Sequence, residues 1–468
     1  MESQAHKVFF QGLFLPLLLL LLFAVKGVAQ EPLYEPARLK RDISYLKTEL
    51  ETNHPNLYIY TPKQEIDRFF DSISTTITKP ITELEFYAML SPICSLVKDG
   101  HTIPLPSERI TAYHNDHSSF LPLHLTIEDL RLYADMVCND QTEIKEGDEI
   151  LMINGLSSAE VINELSRRMP RDGNNQTYPK WILNNYLREY YSYIFGHADK
   201  FEIKYKNISG EHTTTMQALP KATIYKIAMQ KYADRMAAQI GRNTLSLQFS
   251  KQDSCALLKI GDFHNDALHK NYHLDFKKVV GAFFKEIDKQ KPKNLVIDLR
   301  DNQGGDIVNG VFLLSYLIEK PFKVVESYRV VVSKNGERAL KDSGGECLGY
   351  HKPNKKLFTG KLYVLVNGGS FSNSGIVSSC LKKYTEAVFI GEETGGNNQV
   401  LAGYTKNCVL PETKLRVDVP TRRFQLTTDS IFGGHGTLPD YTVPVKVKSV
   451  INKNDDCMDF VLKLMNRN

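Results

Sequence analysis

From about Thr244 to Ile390 the chain alternates short apolar strands with helices, and that order leaves few folds open. Asn294-Leu295-Val296-Ile297-Asp298-Leu299 reads as a buried strand, followed by Gly304-Gly305 and a helix carrying Ile307, Val311, Leu314 and Ile318 at helical spacing. Leu362 to Val366 is a second apolar strand, then come a Gly-Gly turn and a helix with Ile376, Val377, Cys380 and Leu381. Ala387 to Ile390 is a third strand. Strand-helix-strand-helix-strand order predicts a parallel α/β sheet. Such sheets carry their sites where strands end and helices begin.

The part before this segment is of two kinds. Leu39, Ile43, Leu46 and Leu50 form one helical face, and Ile66, Phe69, Phe70, Ile73 and Ile77 form another beyond a break at His54-Pro55. Thr82 with Glu85 makes a capping box for a third helix, which Pro92 should kink or end. A helical cap over residues 30–115 is expected. Residues 116–220 are dominated by short strands. There Gly147-Asp148-Glu149-Ile150-Leu151-Met152-Ile153-Asn154-Gly155, then Ser157 and Glu160 capping a helix through Leu165, resembles the second half of a PDZ domain. With 468 residues the chain exceeds one ordinary core, and two or three domains are expected.

At the N-terminus Lys7 precedes an apolar stretch, Leu13 to Val25, whose 13 residues fall short of a membrane span. Gly27 and Ala29 supply small residues at cleavage spacing. A cleaved signal over residues 1–29, a mature start at Gln30 and export to a periplasm or beyond are expected; an uncleaved anchor is the alternative. No second long apolar run follows, so no stable membrane insertion is expected after cleavage. A net charge of +4 with no long basic run gives no support to nucleic-acid binding. The seven cysteines show no CxxC pair or zinc spacing, so no metal is implied, and their odd number leaves at least one unpaired.

Two strand-to-helix turns are candidates for chemistry. In Asp298-Leu299-Arg300-Asp301-Asn302-Gln303-Gly304-Gly305 the paired glycines let the backbone approach a ligand and free N–H groups for an anion. Taken alone, this is a plain tight turn. Asn367-Gly368-Gly369-Ser370-Phe371-Ser372-Asn373-Ser374 sets three serines at the start of a helix, where a hydroxyl can sit beside free N–H groups as in a nucleophile elbow. For Ser370 and Ser374 ordinary helix capping is the expectation.

With these turns the chain resembles the tail-specific (C-terminal-processing) serine peptidases, which carry "DLRxNxGG", "G(S/T)xSxSE" and "GExTxGKG" in that order. Here stand Asp298 to Gly305, then Gly369-Ser370-Phe371-Ser372-Asn373-Ser374-Gly375, then Gly391-Glu392-Glu393-Thr394-Gly395-Gly396, and finally Gly436-Thr437-Leu438-Pro439-Asp440, similar to the family's "GxxPD". The resemblance makes Ser372 the nucleophile. It implies a crotonase/ClpP-like parallel sheet as the α/β catalytic core over residues 221–468, an N-terminal helical domain and a PDZ-like β-rich module.

This chain departs from the pattern at informative places. The usual lysine of "GKG" is Asn397, so a serine–lysine dyad is absent there. The tricorn-like branch uses a histidine from an "(S/G)H(T/S)" segment, and Asp99-Gly100-His101-Thr102 resembles it, making His101 the expected general base. That branch also keeps a serine before the histidine and a glutamate ahead of "GxxPD", where this chain has Gly100 and Gly433. The group that orients His101 stays open, with Glu392, Glu393 and Asp440 as guesses from proximity to motifs. Lys382 and Lys383 are the fallback bases.

The resemblance thus implies peptide or protein substrates, attack by Ser372, proton transfer through His101, and an oxyanion hole from the N–H of Gly305 or Gly304 with that of Asn373. It implies no organic cofactor and leaves the oligomeric state open. A non-catalytic peptide-binding protein on the same scaffold is one alternative. Another is a hydrolase or lyase acting on a non-peptide substrate.

Overall fold

The alternating segment forms a six-stranded sheet in the order Leu245–Ser250, Cys255–Ile260, Asn294–Asp298, Lys361–Val366, Val388–Gly391 and Tyr441–Thr442. The last five run parallel, and Leu245–Ser250 lies antiparallel at one edge. The computed structural model describes residues 31–252, 254–334, 337–428 and 433–466. The expected signal over residues 1–29 and the expected start at Gln30 lie outside them.

Apolar residues of the sheet bury both its faces, which is why its strands read as continuous apolar runs. Leu295, Ile297, Leu362, Val364 and Val366 pack with the helices Phe276–Gln290, Ile307–Ser315 and Asn373–Tyr384. Val296, Tyr363 and Leu365 meet Val461 of the last helix, Asp456–Met465, on the other face. Asp298 pairs with Leu365 across two parallel strands, so the turns after them emerge side by side.

The sequence did not foretell a second, antiparallel sheet made of Ile103–Leu105, Arg416–Leu426, Val325–Lys334, Glu337–Ser343 and Val400–Val409. Its Glu337–Ser343 strand is largely solvent-exposed and mixed in polarity, so no apolar run marks it. The helices Pro36–Asn53, Lys63–Thr76 and Glu83–Leu90 share a core with Cys408, Leu410, Leu415, Val417 and Val419 of this sheet and its turn. The Thr82–Glu85 capping box forms, and Pro92 begins the short helix Ile93–Val97 after the break.

Residues 123–217 build a third sheet, in the order Leu123–Glu128, Arg131–Val137, Glu149–Ile153, Lys200–Asn207 and Gly210–Gln217, with Leu156–Ser157 paired to Glu149–Ile153. The helices Ser158–Ser166, with the expected Ser157–Glu160 capping box, and Thr177–Phe195 pack on it. Phe371, from the α/β part, is buried in this same core. Residues 33–468 make one compact unit. Among the described residues no helix is long and apolar enough to cross a membrane, and all seven cysteines are free thiols.

Candidate active site

Ser372 immediately precedes the helix Asn373–Tyr384 and adopts φ 53°, ψ −121°, a conformation that a non-glycine residue holds only under constraint. Several contacts supply the constraint. The Phe371 N–H donates to Asn302 O at 3.0 Å, which ties the serine turn to the turn after Asn294–Asp298. The Phe371 ring lies between Tyr178, stacked at 4.2 Å, and His101 at 4.6 Å. Ser370 Oγ donates to Leu299 O at 2.8 Å and accepts from the Asn367 N–H. Gly304 is pressed against the turn: a Cβ there would come within 2.7 Å of Ser372 Cβ and 2.8 Å of Asn373 N.

The capping expected of Ser370 and Ser374 is not what they do. Ser370 closes the Asn367 turn and holds the neighbouring strand end, while the buried Ser374 Oγ has no partner among the described residues. Ser372 sits at the cap position and makes no side-chain capping bond.

His101 reaches the same point from a distant part of the chain. Lys98 ends the Ile93–Val97 helix in a left-handed conformation, and Asp99 Oδ1 accepts the His101 N–H at 2.9 Å. Thr102 Oγ1 bonds buried His54 Nε2 at 2.8 Å, and Ile103–Leu105 then joins the antiparallel sheet opposite Asp418–Arg416. The loop is therefore fixed on both sides. It places His101 Nε2 3.1 Å from Ser372 Oγ. Burial pushes the imidazole pKa down to about 4, so the ring is neutral near pH 7.

Ser372 opens into a cleft of about 520 Å³ that Gly305 and Asn373 also line. Their N–H groups take no acceptor among the described residues. The Gly304 N–H instead donates to Asn302 Oδ1 at 2.8 Å, so of the two expected glycines only Gly305 has a donor to offer. Ile103, Ile376, Leu401 and Phe424 give the cleft apolar walls. His264, hydrogen-bonded to Asp262 at 2.8 Å, stands at its edge and was not singled out from the sequence.

None of the three guesses for the group that orients His101 is engaged with it. Glu392 pairs with Lys180, Glu393 accepts the Gly436 N–H and bonds His435, and Asp440 pairs with Lys382 and accepts the Phe389 N–H. The carboxyls that do gather there are Asp99 and Asp172, both almost fully buried. A ring nitrogen of His101 and one oxygen from each aspartate lie within 4.8 Å of one another. Asp172 accepts the Gly100 N–H at 2.7 Å and the Asn397 N–H at 3.0 Å. In sequence it belongs to Arg171-Asp172-Gly173-Asn174-Asn175, which reads as an ordinary turn.

Burial, then the charge of Asp172, raises Asp99 to about 8, whereas burial alone raises Asp172, to about 6. Asp99, Asp172 and His101 are the one described cluster with a metal-like donor set. Their oxygens already hold backbone N–H groups, which a cation would have to displace.

Asn397, at the place of the absent lysine, is fully buried. Its Nδ2 donates to Tyr60 Oη at 2.8 Å, and its Oδ1 accepts the N–H groups of Gln399 and Val400. No lysine lines the cleft. Lys382 and Lys383 stand ten and eleven residues along the helix from Ser372, about 15 Å away by helical rise.

Residues 254–443 match the family model described as Peptidase family S41. A probable CtpA-like serine protease of Staphylococcus epidermidis is 22% identical over 228 residues, which are 48% of this chain and 41% of that protein. One from Staphylococcus aureus is 23% identical over 222 residues, 46% and 39%. The chain thus spans about two fifths of the curated relatives it matches. The structure of mature CPAF complexed with lactacystin superposes with a TM-score of 0.68 at 14% identity, covering 92% of this chain and 99% of that one. Mature CPAF alone gives 0.66 over 92% and 98%. These likenesses establish a shared mixed α/β fold.

Proposed function

We propose that this chain, whose residues 254–443 match Peptidase family S41, is a serine peptidase in which Ser372 is the nucleophile and His101 the general base. The observation that carries the reading is the 3.1 Å approach of His101 Nε2 to the hydroxyl of a serine held in a strained turn before a helix. A neutral imidazole takes the hydroxyl proton as Ser372 Oγ attacks the peptide carbonyl, then returns it to the leaving amine. The N–H groups of Gly305 and Asn373 receive the developing oxyanion, each contributing about 2.7–4 kcal/mol by analogy with single oxyanion-hole donors.

On this reading the chain belongs with the histidine-using peptidases. Asn397 supports it, since an amide cannot take the serine proton and this one is bound on both sides. Residues 116–220 act as a PDZ-like module that adds a peptide strand at a sheet edge, beside a helical cap over 30–115 and a catalytic core over 221–468. The chain is exported through its N-terminal segment.

The test is hydrolysis of unfolded protein and of peptide and ester libraries by purified chain and by Ser372→Ala. Cleavage of peptides by the first alone supports the reading. Equal cleavage by both rejects it.

A further inference from the structure

We propose that Asp172 is the positioning residue for His101, acting in a carboxyl pair with Asp99 in which Asp172 carries the charge and Asp99 the proton. This rests on the reading of His101 as the base.

His101 Nε2 is engaged with Ser372, while Nδ1 is buried and has no partner among the described residues. A base whose Nε2 accepts a proton must carry hydrogen on Nδ1, and that N–H needs an acceptor. Among the described residues the carboxyls gathered at the ring are Asp99 and Asp172, one oxygen of each lying within 4.8 Å of a ring nitrogen of His101. A small rotation of the ring or one bridging water spans such a distance, and catalytic hydrogen bonds are commonly long before substrate binds.

Two buried carboxyls this close cannot both ionise cheaply. Asp172 accepts the N–H groups of Gly100 and Asn397 and Asp99 that of His101, so either can hold the anion; burial and the charge of Asp172 raise Asp99 the further, which leaves Asp172 ionised. Its place is reserved: a Cβ on Gly100 would come within 3.0 Å of Asp172 Oδ1 and 2.6 Å of the Phe371 ring. The lack of a side chain at Gly100 therefore leaves room for the Asp172 carboxylate.

The surrounding groups leave the pair to set the pH response. Tyr60, which faces both carboxyls, is pushed above its ordinary range chiefly by burial and stays protonated. His54, packed under the His101 loop, is pushed down to about 3 and stays neutral. Arg423 and Arg338, beyond Tyr60 and His54, keep their charge. With His101 itself near 4, the pair titrates between pH 5 and 9, Asp172 at about 6 and Asp99 at about 8, while His264 on the far side of the cleft is raised chiefly by its hydrogen bond to Asp262. Ionised Asp172 holds Nδ1–H, keeps the Nε2 lone pair on Ser372 and opposes the imidazolium charge formed during attack.

The experiment measures the rate at which a fluorophosphonate labels Ser372 between pH 4 and 9, with melting curves, in the full chain and in Asp172→Asn, Asp99→Asn and His101→Ala. Asp172→Asn is expected to be slower by on the order of 10²–10⁴-fold at pH 8, the range for a triad carboxylate. Asp99→Asn, a neutral stand-in for the protonated acid, should slow labelling at pH 8 by a smaller factor than Asp172→Asn. It should keep the parental acid limb near pH 6, because Asp99 is uncharged where Asp172 titrates. Near-parental labelling by Asp172→Asn, or an equal loss in Asp99→Asn, overturns the inference. Should Asp172→Asn fail to fold, the limb in Asp99→Asn decides alone: a retained limb near pH 6 supports Asp172 as the charged member, and loss of that limb overturns it. A slow His101→Ala with a fast Asp172→Asn rejects only the pair, whereas a fast His101→Ala rejects the peptidase mechanism beneath it.

Discussion

His101 Nε2 and Ser372 Oγ lie 3.1 Å apart although 271 residues separate them. Three structural parts produce that meeting. The parallel sheet delivers Ser372, the antiparallel sheet anchors Ile103 just after His101, and Tyr178 of the β-rich part stacks on Phe371 between them. Altering any of these supports should act on the chemistry through position.

The three serines of the turn should separate cleanly. Ser372→Ala should abolish peptide hydrolysis with the fold retained. Ser370→Ala loses bonds to Leu299 and Asn367 and should cost about 1–2 kcal/mol of stability. Ser374→Ala removes a buried hydroxyl without a partner among the described residues and should leave stability unchanged or slightly raised. Denaturant melts and activity on one peptide measure all three.

Restoring the lysine should not restore a serine–lysine dyad. Asn397→Lys would bury a charge beside Tyr60 and strip Gln399 and Val400 of their acceptor. A loss of roughly 3–5 kcal/mol is expected, with no gain in hydrolysis. Chemical denaturation and turnover of the same preparation check both parts.

Much of the fold was legible in sequence because burial on two faces leaves unbroken apolar runs, as in Leu295–Ile297 and Leu362–Val366. Caps such as Thr82–Glu85 and Ser157–Glu160 were legible because their chemistry is local. The antiparallel sheet was not, since its exposed strands lack a clean apolar pattern. Ser372 and His101 stood out through motif resemblance. Asp172 did not, because an aspartate in a turn acquires its role only when the loops of Gly100 and Asn397 close on it.

Gly304→Ala should disable the site without touching its reactive groups. The methyl would meet Ser372 Cβ and Asn373 N, and φ is +102°, where side chains are strained. Both melting temperature and labelling of Ser372 should fall.

The buried acids should make stability depend on pH in a stated direction. Asp99 has its folded pKa raised to about 8, so the folded state holds more protons than the unfolded one from about pH 4 upward. Its contribution is favourable below that window and is lost as pH rises through it. Asp99→Asn should therefore melt at a temperature that gains on the parent between pH 5 and pH 9. A constant difference across that range would show that Asp99 ionises normally.

The central claim is that His101 activates Ser372, and fluorophosphonate labelling of His101→Ala at pH 7.5 tests it most directly. An unperturbed histidine would give an acid limb at pH 6–7. Burial removes His101 from that range, so the loss in the variant, not the limb alone, identifies the base. The account predicts labelling of Ser372 slowed by on the order of 10²–10⁴-fold, with an unchanged melting curve. Labelling at the parental rate in a folded His101→Ala protein would contradict it.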